Sequence, residues 1–195
     1  MSRLNKCIKD ENGNEYWISR SSVVIPVVFK LNEETGEVFA LLEKRGMAVT
    51  HPHEWCCPCG YLDWDEDFKE ACLREVKEET GLELNPDDVY FQEVRTDKDT
   101  KNQTIDFWYM CWTFGDNDFD INKVETKDEI EELRWLKVGQ FFKYYSFFTK
   151  KFGIKLFMKS INEGYGTWAF KTHHKQIAKM LKKVIGNGKI IELDE

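Results

Sequence analysis

The chain has 195 residues, 42% of them hydrophobic, with 14 Phe, 7 Trp and 7 Tyr, and a formal net charge of −7. That content suits one domain with a sizeable core and excludes a disordered or fibrous chain. No apolar run reaches the roughly 18–20 residues that cross a bilayer, and the opening MSRLNK lacks the apolar centre of a secretory leader. A cytoplasmic location with no membrane contact is therefore expected, with the six Cys reduced.

The charge is unevenly spread. Residues 140–190 hold eleven Lys and one acid, Glu163, a balance of +10, which leaves −17 on the rest of a chain totalling −7. An acidic chain is a poor non-specific nucleic-acid binder, so nucleic acid is not the favoured partner, although the basic segment keeps that partner open locally.

Residues 4–20 read as a hairpin around Asn12-Gly13, a strong two-residue turn signal. Residues 22–31 are rich in β-branched side chains and read as a buried strand, with Pro26 at a bulge or edge. After the turn at 32–36, residues 37–44, EVFALLEK, read as the next strand. Arg45-Gly46 opens a loop that runs to Trp55. Arg45 suits a phosphate by its planar fork of donors, and a plain surface arginine explains it equally well. His51, His53, Cys56, Cys57 and Cys59 invite a zinc reading. Their spacing matches no standard finger or ribbon, and Cys57 reads better as a buried apolar side chain.

Residues 60–82, GYLDWDEDFKEACLREVKEETGL, carry the chemistry. A helix is expected to about Thr80, with Asp65 as its N-cap and Gly81 as its C-terminal cap. Glu75, Glu78 and Glu79 stand at i, i+3 and i+4, side by side on one helix face. Phe68, Ala71 and Cys72 share that stripe earlier in the helix, so the face begins apolar and ends acidic. Like charges this close repel, and a hard dication such as Mg²⁺ or Mn²⁺ converts the repulsion into coordination.

Residues 89–96 and 104–114 read as strands joined by a polar link over 97–103. Trp108, Tyr109, Trp112 and Phe114 have faces that suit a nucleobase, with core packing the commoner role for such residues. An acidic loop over 116–120 and the run Glu125-Thr126-Lys127-Asp128-Glu129 precede a strand beginning at ELRWL. Residues 141–152 alternate aromatics with lysines and are expected to form a helix against the sheet. After a break at 164–166, residues 168–185 read as an amphipathic helix. Ile177, Leu181, Val184 and Ile185 face inward, and Lys171, Lys175, Lys179 and Lys182 make a basic stripe.

The 60–82 stretch resembles the signature of the Nudix, or MutT-like, hydrolases. That pattern keeps its spacing here at Gly60, Glu66, Arg74-Glu75, Val76, Glu78-Glu79, Gly81 and Leu82. Trp55-Cys56-Cys57-Pro58-Cys59-Gly60 is similar to the family's lead-in, with Cys59 in place of the first glycine of the usual pair. The resemblance implies an α/β fold, the Nudix α/β/α sandwich with a mixed β-sheet and a loop-helix-loop signature. It implies a single domain with its core at about 20–150, the hairpin at 4–20 before it, and a C-terminal helical extension at about 153–189.

The resemblance also implies a Mg²⁺- or Mn²⁺-dependent pyrophosphohydrolase acting on a nucleoside diphosphate linked to another group. Glu75, Glu78, Glu79 and Glu66 would serve the metal, with a backbone carbonyl near Gly60. Glu78, Glu79, Arg74 and Glu129 would serve the chemistry, Arg74 by orienting the acids, and Glu125 and Asp128 are further candidates for the base. Arg45 and Trp108 would meet the substrate. The dinucleoside-polyphosphate branch tends to carry a tyrosine, and the ADP-ribose branch a proline, some 15–18 residues past the signature. Residues 97–100 offer neither, which favours a nucleoside triphosphate or related nucleotide. An ADP-ribose, nucleotide-sugar or dinucleoside-polyphosphate hydrolase, a hydrolase of RNA caps using the basic helix, and a non-catalytic nucleotide sensor stay open, as does pairing into a homodimer.

Overall fold

A computed structural model of the chain describes residues 6–96, 104–146, 149–156, 167–170 and 172–186. Ten strands and two helices carry the architecture of these residues. β1 (Lys6–Lys9) and β2 (Glu15–Ile18) form a separate antiparallel hairpin. Its turn is longer than the Asn12-Gly13 pair implied. The Asp10 carboxylate accepts from the amides of Asn12 and Asn14, both at 2.9 Å, and Gly13 takes φ 86°.

The main sheet contains β3 (Ser22–Leu31), β4 (Glu37–Arg45), β5 (Trp55–Cys56), β6 (Gly60–Tyr61), β7 (Val89–Thr96), β8 (Ile105–Phe114), β9 (Ile130–Ser146) and β10 (Thr149–Leu156). Its order is β10-β9-β4-β3-β8-β7, with β5 beside β4 and β6 beside β3. The central β3–β8 pair is parallel and the other pairings are antiparallel, so the sheet is mixed as expected. Pro26 lies in regular register inside β3, a central strand, and not at a bulge or on an edge strand. The β6 register stops at Val24 and the β4 register starts at Phe29, so Pro26 falls where that flank of β3 changes partner.

Side chains alternate between two layers. Val27 and Phe29 of β3, Ala40 and Leu42 of β4, and Trp108 and Trp112 of β8 pack with Ile177, Met180 and Leu181 of α2 (His173–Gly186). Val28, Leu41, Tyr109 and Cys111 pack on the other side with Cys72, Val76 and Leu82, from or just beyond α1 (Phe68–Thr80). One helix on each face completes the α/β/α sandwich. The C-terminal helix thus supplies one of the two outer layers.

The described residues of the 141–152 stretch, 141–146 and 149–152, do not form the expected helix. They lie in β9 and β10, which pair as a hairpin with Phe141 opposite Ile154 and Ser146 opposite Thr149. Aromatic residues prefer the pleated surface, and that preference prevails here. α2 begins at His173, five residues later than the amphipathic pattern implied. The link at 97–103, the break at 164–166 and Lys171 lie outside the described residues.

Candidate active site

α1 starts at a capping box. Asp67, not Asp65, is the N-cap: its carboxylate accepts from the amides of Lys69 and Glu70, while Glu70 reaches back to the Asp67 amide. The helix ends at Gly81, whose φ of 68° closes it with a bond from its amide to the Lys77 carbonyl. Between these ends α1 lays Val76 and Cys72 on the sheet and turns its acids toward β6 and the loop before it.

Arg74 organises those acids. Its Nε and Nη2 donate to the two oxygens of Glu66 at 2.9 and 2.7 Å. Its Nη1 donates to Glu75 Oε1 at 2.8 Å and to Glu78 Oε2 at 3.1 Å, and Nη2 also reaches the Tyr61 carbonyl. Glu66 further accepts from the Asp63 amide, and its carboxyl is held below the usual range, chiefly by Arg74. Glu66 therefore buttresses Arg74 with both oxygens. Glu75 is 8% exposed, and burial raises its pKa against the pull of Arg74. Gly60 stands directly beneath it: a Cβ there would lie 2.0 Å from Glu75 Oε1.

Glu79 is 6% exposed and turns to a different neighbour. Its Oε2 accepts from the Cys59 amide at 2.9 Å. Burial first, then the nearby Glu43 carboxyl, pushes its pKa well up. Glu43 on β4 is fully buried and its pKa is likewise raised, mainly by burial. The two carboxyls are close enough for one to hydrogen bond the other when a proton is shared. Glu43 was not among the expected site residues. Its signal in the sequence is weak: it is the second acid of the strand EVFALLEK, after Glu37, and stands beside Lys44.

The donor set fits a hard dication. Five carboxyls, Glu43, Glu66, Glu75, Glu78 and Glu79, face two guanidiniums, Arg45 and Arg74. The bonds from Arg74 and the Cys59 amide leave Glu75 Oε2, Glu78 Oε1 and Glu79 Oε1 uninvolved, three oxygens from one helix face.

The Glu125 amide donates to the Glu78 carbonyl at 2.8 Å, tying the 125–129 loop to the end of α1. The side chains of Glu125, Asp128 and Glu129 are exposed. The Glu129 carbonyl accepts from the Gly46 amide at 2.6 Å. Arg45 does not face outward: its Nε donates to the Thr50 carbonyl at 2.6 Å, and its Nη1 lies 3.7 Å from Cys56 Sγ and 3.9 Å from Glu43 Oε1. Trp108 is 1% exposed, on the sheet face away from α1, with its ring edge-on to His173. His51 and His53 pair with Glu54 and Glu131 at the surface.

The chain is 26% identical to Nudix hydrolase 7 of Arabidopsis thaliana over 138 residues, which are 64% of this chain and 46% of that protein. The chain thus spans about half the length of the curated relatives it matches. Among solved structures, a MutT/nudix family protein from Enterococcus faecalis superimposes with a TM-score of 0.65 at 20% identity, over 87% of this chain and 64% of that one. A bifunctional NMN adenylyltransferase/ADP ribose pyrophosphatase from Francisella tularensis, complexed with AMP and a Mn ion, gives 0.59 at 19% identity, over 85% and 42%. These likenesses establish the fold. The family model described as NUDIX domain matches residues 21–155, the span that holds the whole acid cluster, and the chain belongs to the Nudix family.

Proposed function

We propose that the protein is a Mg²⁺- or Mn²⁺-dependent pyrophosphohydrolase that cuts a nucleoside diphosphate from the group it is linked to, a nucleoside triphosphate or related nucleotide being the favoured substrate. The observation that carries this reading is the arrangement of Glu75, Glu78 and Glu79, each with one oxygen held by the protein and one left over. When bound, the metal offsets the diphosphate charge and makes a coordinated water more acidic.

The chain's own groups do the positioning. Arg74 and the Gly60 backbone fix the Glu75 carboxylate, and the Cys59 amide fixes Glu79. A carboxylate of the helix or of the 125–129 loop, where Glu125, Asp128 and Glu129 are all exposed, takes the proton from the attacking water, and the backbone bond to Glu78 keeps that loop beside the helix. The Nudix hydrolase relatives support the reaction class.

A phosphate-release screen tests the proposal. It spans nucleoside triphosphates, ADP-ribose and nucleotide sugars, dinucleoside polyphosphates and capped RNA, with and without Mg²⁺ or Mn²⁺. Metal-dependent turnover of at least one diphosphate-linked nucleoside is expected. Binding of nucleotides without turnover of any would overturn it in favour of a sensor.

A further inference from the structure

Behind the carboxylate face lies a second group of donors. Glu43 and Cys56 are directly opposite each other in the β4–β5 ladder, so their side chains share one face. Cys59, at the end of the short link between β5 and β6, returns to the same spot. One donor atom from each of Glu43, Cys56 and Cys59 lies within 4.8 Å of the others. Cys57 is excluded by strand alternation: it packs in the core on the α2 side, and its amide donates to His173 Nδ1 at 3.1 Å.

Two features separate this cluster from ordinary packing. The Cys56 thiol donates to Glu43 Oε1 at 3.0 Å, while Glu43 Oε2 is buried with no donor among the described residues other than a proton shared with the Glu79 carboxyl. A buried carboxylate oxygen with no donor is costly and is normally met by a proton, a water or a metal ion. The Arg45 guanidinium also stands beside Cys56 Sγ and Glu43 Oε1. Two thiolates and one carboxylate against one guanidinium leave two negative charges, the charge that one dication balances. Sulfur donors select a borderline or soft ion over Mg²⁺, and two Cys with one carboxylate match the donor types of a tetrahedral zinc site with one position left.

We infer that Glu43, Cys56 and Cys59 form a thiolate-carboxylate site for a borderline dication such as Zn²⁺, buried behind the magnesium-type face. Binding releases the two thiol protons to solvent and needs no oxidant or reductant. The site borders Glu79 through the Cys59 amide, so an ion there stiffens the backbone that holds that acid. Neither His51 nor His53 takes part.

Cobalt(II) as a spectroscopic stand-in for zinc tests the inference on the full chain, reduced and under argon. One equivalent is expected to raise a sulfur-to-cobalt charge-transfer band in the near ultraviolet and strong visible bands of tetrahedral geometry, both bleached by Zn²⁺. Both persist in Glu78→Gln, which alters only the oxygen-donor face. Both are lost in Cys56→Ser and in Cys59→Ser. Absence of the charge-transfer band in the unaltered protein overturns the inference, as does a band that survives both Cys substitutions. If the Cys variants do not fold, Cys72→Ser separates this cluster from the Cys72–Cys111 pair, whose sulfurs lie 3.7 Å apart: bands that persist support the inference and bands that vanish overturn it. The hydrolytic reading fails separately, through the nucleotide screen.

Discussion

Glu79 has two neighbours that pull its chemistry in opposite directions. Burial and Glu43 favour a proton on it, whereas the Cys59 amide favours the charge. A dication at its free oxygen tips that balance to the ionised form. Glu79→Gln removes the charge with little change of volume. Turnover is expected to fall at least about 100-fold in steady-state assays, with an unaltered circular dichroism spectrum. Gly60 is as stringent as the acids, for a steric reason. A methyl group there overlaps the Glu75 carboxylate, which must then move away from Arg74. Gly60→Ala is expected to lower kcat by about 100-fold through misplacement of Glu75, while urea melts show a much smaller effect on stability. Full activity in this variant would remove Glu75 from the site. The sequence named both residues because their positions belong to a spaced pattern. It did not point to Glu43, since a strand buried on both faces hides which side an acid points to.

At the scale of elements, the pieces that sequence exposed best were those with a single unambiguous period. The two central strands and α1 fall near the expected bounds because their apolar runs and caps agree. The N-cap was misplaced by two residues, although the signal was present: Asp67 has Glu70 three residues on, whereas Asp65 has Phe68. The 141–152 stretch misled for a different reason. Its doubled aromatics, FF and YY, obey neither a helical nor an alternating period, so the antiparallel pairing of β9 with β10 decides the conformation. The last helix is where pattern and role differ most. Its inward face was clear, but its position as one outer layer depends on contacts across the chain. Leu181 is fully buried among residues of β3, β4 and β8. Leu181→Ala is expected to cost about 2–5 kcal/mol in denaturant unfolding, the range for a core leucine. A loss below about 0.5 kcal/mol would mean that α2 is a loosely attached extension. The basic stripe on the same helix is partly spent within the molecule: Lys179 pairs with Glu93 of β7, and Gln176 bonds the same carboxylate at 2.6 Å.

Across the whole molecule, α2 meets the segment between β5 and β6 at one buried imidazole. His173, the first residue of α2, accepts the Cys57 amide at Nδ1, which places its proton on Nε2 and keeps the ring neutral. Burial, with Arg45 and His174 nearby, pushes its pKa from 6.5 down to about 3. Trp108 and Phe170 contribute only ring contacts. A depressed folded pKa means that the unfolded chain takes up a proton that the folded one refuses. The stabilising share of His173 is therefore complete above about pH 6.5 and drains away as the pH falls toward 3. In that window the loss runs at roughly 1.4 kcal/mol per pH unit. Carboxylates titrate over the same range, so the measurement is a difference. His173→Gln keeps an acceptor for the Cys57 amide and cannot ionise. Urea unfolding of both proteins from about pH 7 to pH 4 is expected to show the unaltered protein losing stability faster, the gap changing by about one proton's worth. Parallel curves would mean that the imidazole ionises freely in the folded state. The joint between α2 and the strand carrying Cys56 would then be open to water.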